Sequence, residues 1–385
     1  MNNKPIFITL PVYFLSFLQF FSSSHGWIPT IGCAERQKET QLCGRQYFRG
    51  RSVPYVETLA EQKSRELWEQ EPFDHAERLI DRVLASDFPS NSPFLKKISD
   101  HSTTESSGFE DLFLPLYGTK DDGIWEKPII DFGERKEKLK HFLIRVSYKG
   151  NQFCGWQIQR DNELPSVQGV LEDWLQPLAE RKKSIRVCGR TDAGVSAIAQ
   201  VCRFRTALDL DAGDIAEHLQ KLPSAGARVQ QVVEVTRSFH PTFTATCRAY
   251  VYLIDCTPLE GFNSEMLGIL NQILQALEGK ELDYIGLSYG RLKTETSLCT
   301  LHHARACLVS TDDESSAVCI ELVGNRFLRR MVRLLVEAAV RITLAGDDPS
   351  DDVLLDEILK EDRRLIGNTA PANGLFFVGA RFDAM

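Results

Sequence analysis

The chain of 385 residues lacks the features that would assign several large classes of protein. It has no CxxC pair and no Cys/His spacing that suits zinc, although it holds ten cysteines. A motif-type zinc site is thereby excluded, and the thiols read as reduced, mostly buried small apolar residues. No long membrane-spanning run is present. The apolar stretch IFITLPVYFLSFLQFF at 6–21 is too short for a span of about 20 residues and is interrupted by Pro11. Positive charge is also scarce, with 45 Lys and Arg against 53 Asp and Glu and a formal net charge of −8, so a uniformly basic nucleic-acid binder is excluded. The 43% apolar content is enough for sizeable cores and excludes a wholly disordered chain.

The charge is unevenly placed. A run from Asp347 to Asp362 carries eight acids and only Lys360 as counter-charge. Without that run, the region 139–385 is slightly positive, which leaves room for a local basic surface.

The first 26 residues, an apolar run followed by SSSHG, read as a secretory-type leader rather than an anchor. Arg36, Lys38, Arg45, Arg49 and Arg51 follow with few acids, as in organelle transit peptides. A signal followed by such a stretch is the pattern of a bipartite plastid leader. Ordinary secretion and a mitochondrial leader are the alternatives. Residues 27–138 read as a transit-like, variable and partly disordered extension, with amphipathic helical sequence from Glu57 to Ser86 and the polar DHSTTESSG beyond it.

From Leu139 the texture changes. HFLIRVSYKG alternates Phe142, Ile144, Val146 and Tyr148 as a half-buried strand. Ser166 caps a helix with Val167, Leu171, Trp174 or Leu175, and Leu178 on one face. SIRVCGR, AQVCRFRT, RVQQVVEV, CRAYVYLI and LFFVGARF read as strands, as do segments near 303–309 and 317–323; helices are expected near 211–221, 263–277 and 325–344. This order implies an α+β fold of two halves, 139–244 and 245–385, with mainly antiparallel strands.

The segment CGRTDAGVSA (188–197) concentrates the chemistry. Gly189 and Gly194 flank Asp192 and permit a sharp turn and the close approach of another molecule. By itself, an Asp in a TDAG turn is more often a local cap than a reactive group. Cys188 has no paired His to activate it as a nucleophile.

The string closely resembles the GRTDAG signature of TruA-type tRNA pseudouridine synthases. YKGNQFCGWQIQ (148–159), PSVQGVLE (165–172), FHPTFTATCRAYVYLI (239–254), NRFLRRMVRLLV (325–336) and PANGLFFV (371–378) resemble further blocks of that family in the same order. The resemblance implies the pseudouridine synthase fold, with two α/β halves sharing a mainly antiparallel central sheet flanked by helices. It implies isomerisation of uridine to pseudouridine in the anticodon stem-loop of tRNA, at positions 38, 39 or 40, with no cofactor and no metal. It also implies a homodimer with RNA bound in a cleft between subunits. Asp192 matches the catalytic nucleophile, Tyr250 the active-site tyrosine and Arg333 the arginine that pairs with the carboxylate.

Those roles make chemical sense. A carboxylate can attack and later leave, so covalent catalysis needs no cofactor. In a pocket that excludes water its pKa would rise, and a forked, permanently charged guanidinium opposes the rise. A tyrosine ring offers a surface for an everted uracil. Arg190, Arg248, Arg186 and Lys182 are candidates for backbone phosphates.

The chain departs from the family at Ser196, where His is usual, at Ala199, where Gly is usual, and at Lys149, where Asp is common. A non-catalytic RNA-binding or tRNA-folding protein on the same scaffold is the alternative, and the joint presence of Asp192, Tyr250 and Arg333 argues against it. A sugar hydrolase would want a second carboxylic acid as proton donor, and none stands out near these motifs.

Overall fold

The computed structural model describes residues 43–48, 51–56, 58–70, 72–85, 96–97, 139–160, 162–179, 185–221, 226–255, 264–290, 292, 296–310, 316–346 and 369–382. The leader at 1–26, Lys182 with its basic neighbours, and the acidic run at 347–362 lie outside the described residues. Met1–Gln62 and Lys63–Met385 are two compact units. In the first, β1 (Cys43–Phe48) pairs antiparallel with β2 (Arg51–Val56). Helix α1 (Leu59–Glu69) opens where the Thr58 N–H donates to the Glu61 carboxylate (2.8 Å) and the Glu61 N–H to Thr58 Oγ1 (3.2 Å), a reciprocal cap.

The second unit is built on a ten-stranded sheet. Its elements are α2 (Asp74–Ala85), β3 (Lys96–Lys97), β4 (Lys140–Tyr148), α3 (Val167–Leu175), β5 (Arg186–Val187), β6 (Ser196–Thr206), α4 (Ala212–Gln220), β7 (Ala227–Val235), β8 (Ala245–Asp255), α5 (Ser264–Gln275), β9 (Glu281–Asp283), β10 (Leu298–Ser310), β11 (Ser316–Gly324), α6 (Met331–Ala345) and β12 (Leu375–Phe382). The order across the sheet is β3-β10-β11-β8-β12-β6-β4-β7, with β5 beside β6 and β9 beside β10. Every pair is antiparallel except β12 with β6. The α+β class and the mainly antiparallel sheet flanked by helices are therefore as the sequence implies.

Local chemistry sets the helix starts. Ser166 accepts from Gly169 N–H (3.1 Å), so α3 begins at Val167 and buries Val167, Leu171 and Leu175, leaving Trp174 half-buried. Asp211 and Asp214 cap α4 reciprocally. Two apolar clusters fill the interior, one mainly from 142–239 with Phe377 and Phe382, the other from 247–378 with Val195, Ile198 and residues 67–83; Tyr250 packs against both.

Three expectations need correction. Strand β4 is not half-buried: Phe142, Ile144, Val146 and also Leu143 and Ser147 are sealed, because β4 lies inside the sheet between β6 and β7 and carries helices over it. The helix expected at 325–344 starts only at Met331, and 325–330 form a turn that ends on Arg330 in the left-handed region (φ 60°). Lastly, the sequence between 63 and 85 is no loose extension. Phe73, Leu79, Ile80 and Val83 join the core of the second unit. Asp255 accepts from the N–H groups of Asp74 (2.8 Å) and His75 (3.2 Å) and so caps α2, while Ser64 and Trp68 donate to the buried carboxylate of Glu337. Lys149 ion-pairs with Glu77 (2.6 Å) and Asp81 (2.8 Å) of α2, which gives the Lys at that position its physical reason. Among the described residues no helix is long and apolar enough to cross a membrane.

Candidate active site

Strand register gathers the site. Tyr250 on β8 faces Phe377 on β12 and Leu322 on β11, and Phe377 in turn faces Ala197 on β6, five residues beyond Asp192. The Asp192 turn therefore opens at the end of β6, beside the tyrosine strand. The turn after β11 delivers Phe327 and Arg330, and the first turn of α6 delivers Arg333, to the same place.

Backbone packing shapes the Asp192 turn. Gly155 has φ +103°, and a Cβ there would lie 3.0 Å from Ala193 N, 3.1 Å from Asp192 C and 3.1 Å from Thr191 O. A Cβ on Gly150 would fall 2.3 Å from Val195 C. Only glycine permits this approach, so the KGNQFCGW segment serves as the bed of the turn. The Ser196 hydroxyl accepts from Gly150 N–H (3.0 Å) and pins the two segments together where the family usually has His. Beneath the turn, Tyr148 OH and Thr191 Oγ1 lie 2.8 Å apart, and Gln200 Nε2 donates to Gly189 O (2.8 Å) and Tyr148 OH (3.3 Å). Such a satisfied buried network rigidifies what it touches.

Asp192 is 30% exposed, its carboxylate reachable from solvent. Arg333, 13% exposed, places Nη1 3.8 Å from Asp192 Oδ2. Its other donors are committed: Nε donates to Ala370 O (2.6 Å) and Nη2 to Thr369 Oγ1 (3.1 Å). The guanidinium is thus fixed in direction. Burial lowers the Arg333 pKa, and the Asp192 charge opposes part of that fall.

A second guanidinium was not singled out by sequence reasoning. Arg330 Nε lies 3.9 Å from the same Oδ2, and its head stacks 4.0 Å from the Tyr289 ring centre. That nitrogen is buried and has no hydrogen-bond partner among the described residues. The left-handed backbone at Arg330 is costly for a non-glycine residue and persists where the surroundings impose it. FLRRMVR contained the signal, but a helix assumed to run from 325 would have turned Arg330 elsewhere. One carboxylate and two guanidinium groups leave the site with local positive charge, suited to a phosphodiester.

Tyr250 is clamped edge-on by Phe327 (4.9 Å) and Phe377 (5.2 Å). Its hydroxyl would be 3.8 Å from a Cβ at Gly189. Burial raises its pKa, so the phenol is protonated at neutral pH and works as a ring and hydrogen-bond donor rather than a free phenolate. Tyr252, two residues on, is sealed in the core against Trp68 and Phe73 and donates to Pro371 O (3.0 Å). Burial pushes the Cys188 thiol up to about 11 despite the nearby Arg248, so it is no thiolate.

Of the other candidates, Arg186 and Arg190 are exposed. Arg248 is half-buried and its donors go to the carbonyls of Ala245, Asn325 and Thr242, which ties β8 to the two turns flanking the site. Among the described residues, the donor groups close enough to share an ion are Cys307, Cys319 and Glu321 on β10 and β11, away from the Asp192 turn in the sheet order.

The family model described as tRNA pseudouridine synthase matches residues 275–383. The chain is 29% identical over 254 residues to tRNA pseudouridine synthase A of Francisella philomiragia, covering 63% of this chain and 95% of that one. It is 29% identical over 261 residues to the protein of that name from Pseudothermotoga lettingae, covering 63% and 100%. It is 30% identical over 255 residues to that of Chloroflexus aurantiacus, covering 63% and 89%.

Proposed function

This chain belongs to the tRNA pseudouridine synthase family, and we propose that it turns uridine into pseudouridine in the anticodon stem-loop of tRNA with Asp192 as nucleophile. The observation that carries this reading is the solvent-reachable Asp192 carboxylate beside Arg333 and Arg330, at a turn next to the strand that carries the clamped Tyr250 ring. The product is an isomer of the substrate. The bond from the ribose anomeric carbon to N1 of the base breaks, a bond to C5 forms, C5 loses one proton and N1 gains one. The Asp192 carboxylate occupies the sugar carbon while the base turns and leaves when the carbon–carbon bond forms, so no group is consumed.

Each neighbour has a task. Arg333 holds the carboxylate in place and balances its charge with a fixed guanidinium. Arg330, whose head is less committed, meets the phosphate of the everted residue. Tyr250 offers its ring to the uracil and its protonated hydroxyl to the base. Arg186, Arg190 and Lys182 contact the RNA backbone. The substrate uridines are those at positions 38, 39 and 40, the active species is a homodimer, and the first 26 residues lead a bipartite route into a plastid.

The test is to incubate unmodified tRNA with the purified protein and map pseudouridine by a base-specific chemical label read by mass spectrometry. Signal at 38–40 is expected. Product confined to other stems would reject the site assignment, and absence of product from every tRNA tried would reject the enzymatic reading.

A further inference from the structure

The strongest anomaly outside the site is the Phe243 ring, 82% exposed, the most exposed of the large apolar side chains among the described residues. It does not sit on a loose loop. Phe243 N–H and Thr244 N–H both donate to His240 O (3.0 and 2.9 Å), and the Thr244 hydroxyl donates there too (2.7 Å). The Thr242 hydroxyl donates to Val187 O (2.7 Å) on β5, and Arg248 donates to Thr242 O. The turn is therefore locked to the strand that leads into the Asp192 turn and to the strand that carries Tyr250. The backbone that carries the ring is fixed, and His240 lies alongside the ring at 4.4 Å.

The ground around it is positive. On β5 and β6, Arg186 stands directly across from Arg203, a cross-strand pair of like charge. Such a pair opposes folding unless something of opposite charge lies over it. Arg205 is two residues further along the same face of β6. Burial, followed by Arg205 and Arg186, lowers the Arg203 pKa; burial, followed by Arg203 and Arg186, lowers that of His240. Arg203 itself spends Nη1 on the carbonyls of Arg237 and Phe239, so of the three strand arginines the exposed ones are Arg186 and Arg205. In a chain whose net charge is −8, this concentration of like charge around an exposed aromatic ring is selective.

We propose that Phe243 stacks on an unpaired tRNA base outside the catalytic pocket while Arg186 and Arg205 hold the adjoining phosphates, making this turn a second anchor for the substrate. The inference rests on the tRNA reading above. Aromatic rings interleaved with cations are the chemistry by which single-stranded RNA is gripped without sequence preference. The apolar ring alone would also suit a second protein surface, but a flanking like-charge arginine pair calls for a polyanion.

The experiment measures affinity for an unmodified tRNA transcript, turnover at saturating tRNA, and sedimentation of the free protein, for Phe243→Ala, Phe243→Leu, Phe243→Trp and Arg186→Gln/Arg205→Gln. Loss of one stacked base weakens binding by about 5- to 100-fold. Ala and Leu are expected to lose affinity alike, Trp to keep it, and the charge variant to lower the salt dependence of binding by about two counter-ions. Turnover at saturation stays near that of the native protein in the three Phe243 variants. Leu binding as well as Phe, or a change of sedimentation in Phe243→Ala without a change in affinity, would overturn the proposal in favour of a protein contact. Pseudouridine formed normally with unchanged affinity in every variant would overturn it while leaving the enzymatic reading intact.

Discussion

Replacement of Gly155 by Ala tests how closely the bed of the Asp192 turn is fitted. The backbone there has φ +103°, a region where a non-glycine residue costs about 1–3 kcal/mol. The new methyl group would meet three backbone atoms of Thr191, Asp192 and Ala193 at 3.0–3.1 Å, tighter than ordinary contact, and backbone cannot rotate away as a side chain can. The turn must retreat by a few tenths of an ångström. A misplacement of about 1 Å costs about a hundredfold in rate, so a shift of that smaller size costs about tenfold. Gly155→Ala should therefore melt earlier by an amount equivalent to about 1–3 kcal/mol and lose about tenfold in kcat, with KM little changed because the RNA surface is untouched. Gly268 in α5 has open space around it, and its replacement by Ala should raise stability by about 0.5–1 kcal/mol without touching kcat. Urea unfolding and single-turnover pseudouridine formation measure both. If Gly155→Ala keeps kcat within twofold of the native protein, the fitted bed is not what positions Asp192.

The Asp255 cap of α2 predicts acid sensitivity. Burial raises its pKa, but the hydrogen bonds from His75 and Asp74 outweigh this and hold it below the ordinary carboxylate value of about 4. A depressed carboxylate stabilises the fold above its unfolded pKa, and the contribution is lost as pH falls through the folded one. Native protein should lose stability increasingly below about pH 4, and Asp255→Asn should be weaker at neutral pH with a flatter fall; equal slopes from pH 6 to 3 would contradict this. Ile80, 1% exposed on α2, predicts that Ile80→Ala lowers stability by about 2–5 kcal/mol, read by urea unfolding, and that removal of residues 1–138 prevents soluble folding. A stable, active chain starting at 139 would show that α2 is dispensable.

Legibility in the sequence followed local determinism. Strands with clear period-2 patterning and helices with side-chain caps, such as the one opened by Ser166, stand where the residues place them. Asp192, Tyr250 and Arg333 were recognisable because contiguous strings carry them, and the register of β8, β12 and β6 brings those strings together. What could not be read depended on distant partners. The sealing of both faces of β4 is set by its place between β6 and β7, which no local pattern encodes. The late start of α6 comes from the left-handed Arg330, whose guanidinium is drawn to Asp192 and Tyr289; residue 330 taken alone is a good helix former. The helices before residue 86 read as part of a variable extension because their partners, Asp255 and Glu337, lie far along the chain. Arg248, which looked like a phosphate ligand, braces three carbonyls instead, a use that only the folded turns reveal.

The proposed reaction turns on one carboxylate. Asp192→Asn keeps the shape of the side chain and its place between Arg330 and Arg333 but removes the anion proposed as nucleophile. Base-specific labelling and mass spectrometry of tRNA treated with equal amounts of folded native and variant protein should find pseudouridine with the first and none above background with the second, at tRNA affinities within a few fold of each other. Product at the native rate from Asp192→Asn would contradict it.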